Sequence, residues 1–259
     1  MTNYKLIGLG TYKLQDETCT NIIKSGLEQG YRLIDTAQLY RNHTQVALGI
    51  KQSQVNREDI FICSKISNTN IKKLKISESI DQIKKELEIN YLDLLLLHNP
   101  VKNYDTAWKE LIYCQNFFDI KNIGVSNFEI THLENIMEKT MISPYLNQIE
   151  LNLFNQQINL INFHKKNNII TQSHTTLTKG SLLDNQKLIK WSNQLTINPS
   201  ELLFKFVLDQ GIGILPRTTN LDHLKDNINL VNKPCIFTEN FVYNNLDIIK
   251  EFNIGYKIY

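Results

Sequence analysis

Glycine is scarce in this chain of 259 residues, 10 in all, against a usual share of ~7% in soluble proteins. Those present make no Gly-x-Gly-x-x-Gly turn: Gly8-Leu9-Gly10 runs on to Lys13 where a third glycine would stand. A doubly wound dinucleotide-binding sheet, which places that turn after its first strand, is therefore rejected. Cysteines are few and far apart (Cys19, Cys63, Cys114, Cys235), with no C-x-x-C pair, so neither a disulfide framework nor a metal site is indicated. No sign of charge dominates either. The balance of 28 basic and 26 acidic residues leaves +2, which argues against a nucleic-acid partner bound through long-range electrostatics. The longest apolar stretch, Leu94 to Leu97, is far short of the ~20 residues of a membrane span. The first ten residues carry no basic stretch ahead of a long apolar one. Reduced thiols and a cytoplasmic setting are the expectation.

A Pro/Gly/Ser-rich linker is also missing, and residues 1–259 are expected to form one domain, a size that barrels commonly reach. What is present is an alternation of strand-like runs and amphipathic segments, roughly thirty residues apart. Strands are predicted at Leu6–Leu9, Tyr31–Asp35, Asp59–Lys65, Leu92–His98, 120–125, Tyr145–Ile149, Asn168–Gln172 and Ile212–Leu215. Helices are predicted over 17–29, 44–52, Ser77–Ile89, 104–117, 129–138, 156–166, 185–194, 199–210 and 220–229. The fourth run shows no polar alternation, as expected of a parallel strand covered on both faces. Eight strands with intervening helices imply an α/β fold of the (β/α)8 barrel type, whose chemistry sits at the carboxyl ends of the strands.

Four of these runs end in groups suited to one task. Asp35 closes one, with Tyr40 close behind; Lys65 closes another, His98 a third, and Ser126-Asn127 a fourth. A free phenol, with a pKa of ~10, donates its proton poorly at neutral pH. An ammonium beside it lowers that value. On this reasoning Lys65 tunes Tyr40, Asp35 orients Lys65, and His98 hydrogen-bonds a substrate oxygen. The set is a polarising pocket for a carbonyl group. Taken singly, each residue has an ordinary structural role: helix cap, core aromatic, solvated cation, buried histidine.

The segments Gly8-Leu9-Gly10-Thr11-Tyr12, Gly30-Tyr31-Arg32-Leu33-Ile34-Asp35-Thr36-Ala37 with Tyr40 and Asn42, Leu92 to His98 with Pro100, Ile123 to Phe128, Asn147-Gln148-Ile149-Glu150, and Leu215-Pro216-Arg217-Thr218 together resemble the aldo-keto reductase family, in the family's order. The resemblance implies a (β/α)8 barrel that uses NADPH, or NADH, to reduce a small carbonyl substrate, with a monomer as the default state. It carries Asp35, Tyr40, Lys65 and His98 onto the four catalytic positions. It also implies that Ser126, Asn127 and Gln148 hold the nicotinamide carboxamide, and that Thr11, His174 and Leu177 line the cofactor. Arg217, Thr218 and His223 would meet the 2′-phosphate, Asn227 the adenine, and Tyr12, His98 and Asn99 the substrate.

The chain departs from the pattern at several of these places. His174 stands where the family stacks a larger aromatic ring, which leads us to expect weaker cofactor binding, pH-sensitive near the ~6.5 of a free imidazole. Asn99 replaces the usual tryptophan after the catalytic histidine. Arg217-Thr218 replaces a Lys-Ser pair, and His223 a downstream arginine. Arg217 keeps a permanent charge able to grip phosphate bidentately, which favours NADPH. The residues after Leu230 contain no long loop to close the mouth, so diverse small carbonyls are expected to enter. The alternative reading is a nucleotide-binding redox sensor of the same fold with little turnover, which the changes at 99, 174 and 223 favour and the intact catalytic set opposes.

Overall fold

Residues 5–237 are described by the computed structural model. Eight parallel strands pair in chain order: β1 (Leu9–Gly10), β2 (Leu33–Asp35), β3 (Phe61–Ile66), β4 (Leu92–Leu97), β5 (Ile120–Ser126), β6 (Leu146–Glu150), β7 (Ile170–His174) and β8 (Gly213–Ile214). Backbone bonds join the two ends. Gly8 N donates to Ile214 O at 3.0 Å, Ile214 N to Leu6 O at 2.8 Å, and Gly10 N to Pro216 O at 3.0 Å. The expected barrel is thus closed, and Gly10 permits the seam: a Cβ there would stand 2.8 Å from the Leu215 carbonyl oxygen.

Around the barrel run α1 (Asp16–Glu28), α2 (His43–Ser53), α3 (Asn68–Lys72), α4 (Ile76–Leu87), α5 (Tyr104–Gln115), α6 (Ile130–Thr140), α7 (Ile158–Lys166), α8 (Gln186–Gln194), α9 (Pro199–Leu208) and α10 (Leu221–Asn229). The helix α3 was not expected; five residues are too few for a periodic signal, and it starts on the Ser67 hydroxyl, which accepts from Asn70 N at 3.3 Å. The first predicted strand shrinks to β1, preceded by a single bridge from Ile7 to Ile214. His98 lies just past β4 rather than within it.

Side chains alternate between two cores, as the two-residue period of a strand requires. Leu33, Phe61, Cys63, Leu94, Leu96 and Leu146 fill the barrel interior. Ile34, Ile62, Leu95 and Leu97 face outward and pack with the helices. Each buried leucine contributes about 1.5–3 kcal/mol relative to exposure. Continuing the inward rows by two residues turns Asp35 above Leu33 and Lys65 above Cys63. The polar groups therefore enter the rim by strand geometry alone.

The segment from Val231 onward is described only to Phe237. There the Ile236 and Phe237 amides donate to Asp209 Oδ2 at 2.7 and 3.1 Å; residues 238–259 lie outside the described residues. Among the described residues no helix is long and apolar enough to cross a membrane.

One glycine tests the closeness of this packing. A Cβ on Gly124 of β5 would lie 2.5 Å from Leu146 O and 2.8 Å from Leu96 Cδ2. Gly124→Ala should therefore lower the free energy of unfolding by about 1–3 kcal/mol in urea titration. An unchanged midpoint would mean the strands are not this close.

Candidate active site

The four predicted catalytic residues converge on one rim. Lys65 Nζ donates to Asp35 Oδ1 at 2.5 Å, to the Thr36 carbonyl at 3.1 Å and to the Tyr40 hydroxyl at 3.3 Å. Lys65 is fully buried and Asp35 nearly so. Tyr40 ends a short 3-10 turn, Gln38–Tyr40, whose backbone reversal continues through Arg41 at φ 56°. Asn42 pins this turn from below: its amide donates to the Thr11 and Leu14 carbonyls at 2.8 and 2.9 Å, and its oxygen accepts from the Thr36 hydroxyl at 3.0 Å. The His98 ring meets Tyr40 edge-on, centroids 6.0 Å apart, and Tyr12 leans on Tyr40 from the other side at 5.2 Å.

Burial alone would pull the Lys65 ammonium down. Asp35, with Tyr40 and Cys63 behind it, outweighs that pull, and Lys65 stays above the ordinary lysine value. Tyr40 corrects the expectation drawn from the sequence. Burial raises its hydroxyl, Lys65 lowers it and Asp35 raises it again, and the balance lies above the ordinary phenol. The ammonium acts in the expected direction, but burial and the carboxylate beyond it prevail. At neutral pH Tyr40 is a protonated donor.

The histidines are neutral. His98 is pushed down to about 3 by burial, then by Lys65 and His174. Burial first, and Lys65 second, bring His174 to about 4, so the expected titration near 6.5 is moved well into the acid range.

Further round the rim, β5 and β6 are in register at Ser126 and Gln148. Gln148 Nε2 donates to Asp35 Oδ2 at 2.7 Å and to Gln172 Oε1 at 2.8 Å. Asn127, at φ 62°, is engaged on both poles. Its nitrogen faces the His98 carbonyl, Asn99 Oδ1 and Ser126 Oγ at 3.0–3.1 Å, and its oxygen accepts from His174 Nε2 at 2.7 Å. His174 Nδ1 then accepts from the Thr175 hydroxyl at 2.8 Å. Leu177 is half-buried two residues further on. Asn99 donates to Asn68 Oδ1 at 2.9 Å. Thr11 is buried, and its hydroxyl and amide both donate to the Asp35 carbonyl at 3.0 Å. That role anchors the end of β2 and leaves Thr11 no free donor for a cofactor.

Beyond β8, Arg217 is exposed and donates to the Lys13 carbonyl at 3.3 Å. The Thr218 hydroxyl accepts from Asn220 N at 2.9 Å and lies 3.4 Å from His223 Nδ1. Asn220 caps α10 by accepting from Asp222 N at 2.8 Å, and Asn227 is half-exposed on that helix.

Several contributors were not singled out from sequence. Thr36 gives a carbonyl to Lys65. Asn147 and His164 hold the turn after β5: Asn147 donates to the Phe128 carbonyl at 2.8 Å and stands 2.9 Å from His164 Nε2. Gln172 completes the amide chain. The signal for Thr36 and Gln172 is positional, a polar residue on an inward or rim row, and it is readable only once strand register is known.

Residues 6–241 match the sequence profile of the Aldo/keto reductase family. The chain is 33% identical over 229 residues to methylglyoxal reductase DkgA of Escherichia coli (strain K12), across 86% of this chain and 82% of that protein. It is 31% identical over 225 residues to glyoxal reductase of Bacillus subtilis (strain 168), across 86% and 82% respectively. Among solved structures, MGS-M4, an aldo-keto reductase enzyme from a Medee basin deep-sea metagenome library, superposes with a TM-score of 0.88 at 29% identity, over 99% of this chain and 94% of that one. A variant of Gox0644 in complex with NADPH superposes with a TM-score of 0.85 at 30% identity, over 95% and 89%. The chain belongs to the aldo/keto reductase family and is an NAD(P)H-dependent oxidoreductase.

Proposed function

We propose that this protein reduces small aldehydes and ketones to alcohols with NADPH, Tyr40 supplying the proton. The observation that carries this reading is the buried chain from Asp35 through Lys65 to the Tyr40 hydroxyl, with links of 2.5 and 3.3 Å. A structural phenol has no need of a buried ammonium.

The donors and acceptors present fit a nicotinamide carboxamide. Gln148 has both amide hydrogens engaged, so its Oε1 is the pole left to accept from the carboxamide nitrogen. Ser126, which accepts from Asn127, keeps its own O–H to donate to the carboxamide oxygen. Asn127 serves by fixing Ser126 and the backbone of His98. Both nitrogens of His174 are held in the ring plane, which frees the ring faces for stacking. Arg217, with Thr218 and His223, offers a cation and a hydroxyl for the 2′-phosphate, and Asn227 an amide for the adenine. Leu177 adds an apolar wall.

When bound, NADPH would supply the hydride that the carbonyl carbon takes up. Tyr40 gives its hydroxyl proton to the carbonyl oxygen, completing the alcohol. Lys65, kept cationic by Asp35, stabilises the phenolate that remains; such a preset charge in a water-poor site needs no reorganisation during the reaction. His98 acts uncharged. Its Nδ1 is buried without a hydrogen-bond partner, and a bare lone pair there costs less than a bare N–H, which favours the proton on Nε2 as a donor to the substrate oxygen. Tyr12, 47% exposed, and the tethered amide of Asn99 make the substrate wall. A mouth with a short polar wall suits compact dicarbonyls, in keeping with relatives named methylglyoxal reductase and glyoxal reductase.

NADPH oxidation should follow addition of methylglyoxal, glyoxal and other small aldehydes and ketones, faster than with NADH. In Tyr40→Phe it should fall by about 10²–10⁴-fold, with NADPH affinity within about twofold of the parent. Turnover retained in that variant would remove Tyr40 from its role.

The neutral histidines give a second expectation. NADH, which lacks the 2′-phosphate, isolates the nicotinamide side of the site. Its dissociation constant, followed by quenching of protein fluorescence, should be level above about pH 5.5 and weaken only as pH falls towards the His174 value of about 4. An inflection near 6.5 would contradict the buried, hydrogen-bonded placement of that ring.

A further inference from the structure

The amide chain beyond Asp35 ends on a residue with a peculiar standing. Gln172 lies on β7 in register with Gln148 on β6; both side chains are buried, at 1% and 2% exposure. Gln172 Oε1 accepts one hydrogen of Gln148 Nε2, while the other goes to Asp35 Oδ2. Gln172 Nε2 itself is buried and has no hydrogen-bond partner. A buried orphan amide is destabilising, and an apolar residue would fill this inward position without that cost. What the glutamine adds is its oxygen. The Asp35 carboxylate leaves Gln148 room to rotate its amide about one hydrogen bond; a second acceptor on the other hydrogen removes that freedom. With Gln172 in place, the Gln148 nitrogen faces inward and its oxygen faces the rim.

We infer that Gln172 is a positioning residue that fixes the orientation of the Gln148 amide, and through it the face of the nicotinamide presented to substrate. The inference rests on the proposed reductase reading and extends it to a residue that touches neither cofactor nor substrate. It also makes Asp35 a junction. One oxygen holds the proton-donating pair Lys65 and Tyr40, the other the residue that would hold the carboxamide, so the two halves of the reaction share one carboxylate.

The test compares Gln172→Leu, which removes the acceptor, with Gln172→Glu, which keeps an acceptor and removes the orphan nitrogen. Three quantities are read: the thermal midpoint without cofactor, the NADPH dissociation constant, and the distribution of label transferred from NADPH deuterated on one face of C4. Gln172→Leu should fold, since it deletes a buried unpaired group, yet bind NADPH about tenfold more weakly and transfer from both faces. Gln172→Glu should restore both binding and single-face transfer. Parental affinity and single-face transfer in Gln172→Leu would overturn the inference. Equal losses in both variants would also overturn it, because packing alone would then explain them. Wild-type protein that binds NADPH but reduces no carbonyl would overturn the reductase reading, while the affinities of the two variants would still decide the role of Gln172. Wild-type protein that binds no NADPH would overturn both.

Discussion

The structure depends on keeping an ammonium ion inside a barrel. Taking Lys65 fully out of water carries a penalty of several kcal/mol unless its charge and its hydrogens are matched. All three of its donors have acceptors: the Asp35 carboxylate, the Thr36 carbonyl and the Tyr40 oxygen. Those acceptors are held in turn. Thr11 donates twice to the Asp35 carbonyl, Asn42 ties Thr36 to the β1–α1 loop, and Gln148 takes the second oxygen of Asp35. The residues around the cation are thus a single hydrogen-bonded shell, contributed by four of the eight strands or the loops that follow them.

The same charge sets the character of the rim. Burial first, and this charge second, hold His98 and His174 in their neutral forms. In the proposed reaction a neutral His98 would donate a hydrogen bond to the substrate oxygen without competing with Tyr40 as an acid. A neutral His174 keeps one nitrogen as donor to Asn127 and the other as acceptor from Thr175; an imidazolium would reverse the second bond, leaving the Thr175 hydroxyl to accept. In the proposed reaction proton donation is therefore concentrated on Tyr40, whose raised hydroxyl is protonated at neutral pH.

Much of this was legible in the sequence because parallel barrel strands announce themselves. Leu94 to Leu97 is an unbroken buried run, and the inward rows Leu33–Asp35 and Cys63–Lys65 turn from apolar to charged at the residue where each strand meets the rim. Asp35 and Lys65 follow from that pattern, and His98 stands directly after the leucine run. What stayed hidden depends on balance or on distant partners. The direction of the Tyr40 shift is the difference between burial, one cation and one anion. His174 titrates low because of the walls and the charge around it, which its neighbours in sequence do not reveal. Gln172 reads as an ordinary polar strand residue until register sets it beside Gln148, 24 residues away. The short helix α3 and the turn that carries Tyr40 are too brief to show periodicity, and both are set by capping and packing contacts.

The claim that a buried ammonium empowers Tyr40 is tested most directly by Lys65→Met, in protein shown to be folded and saturated with NADPH. Single-turnover reduction of methylglyoxal should slow by at least about 10²-fold. A rate within twofold of the parent would contradict the account.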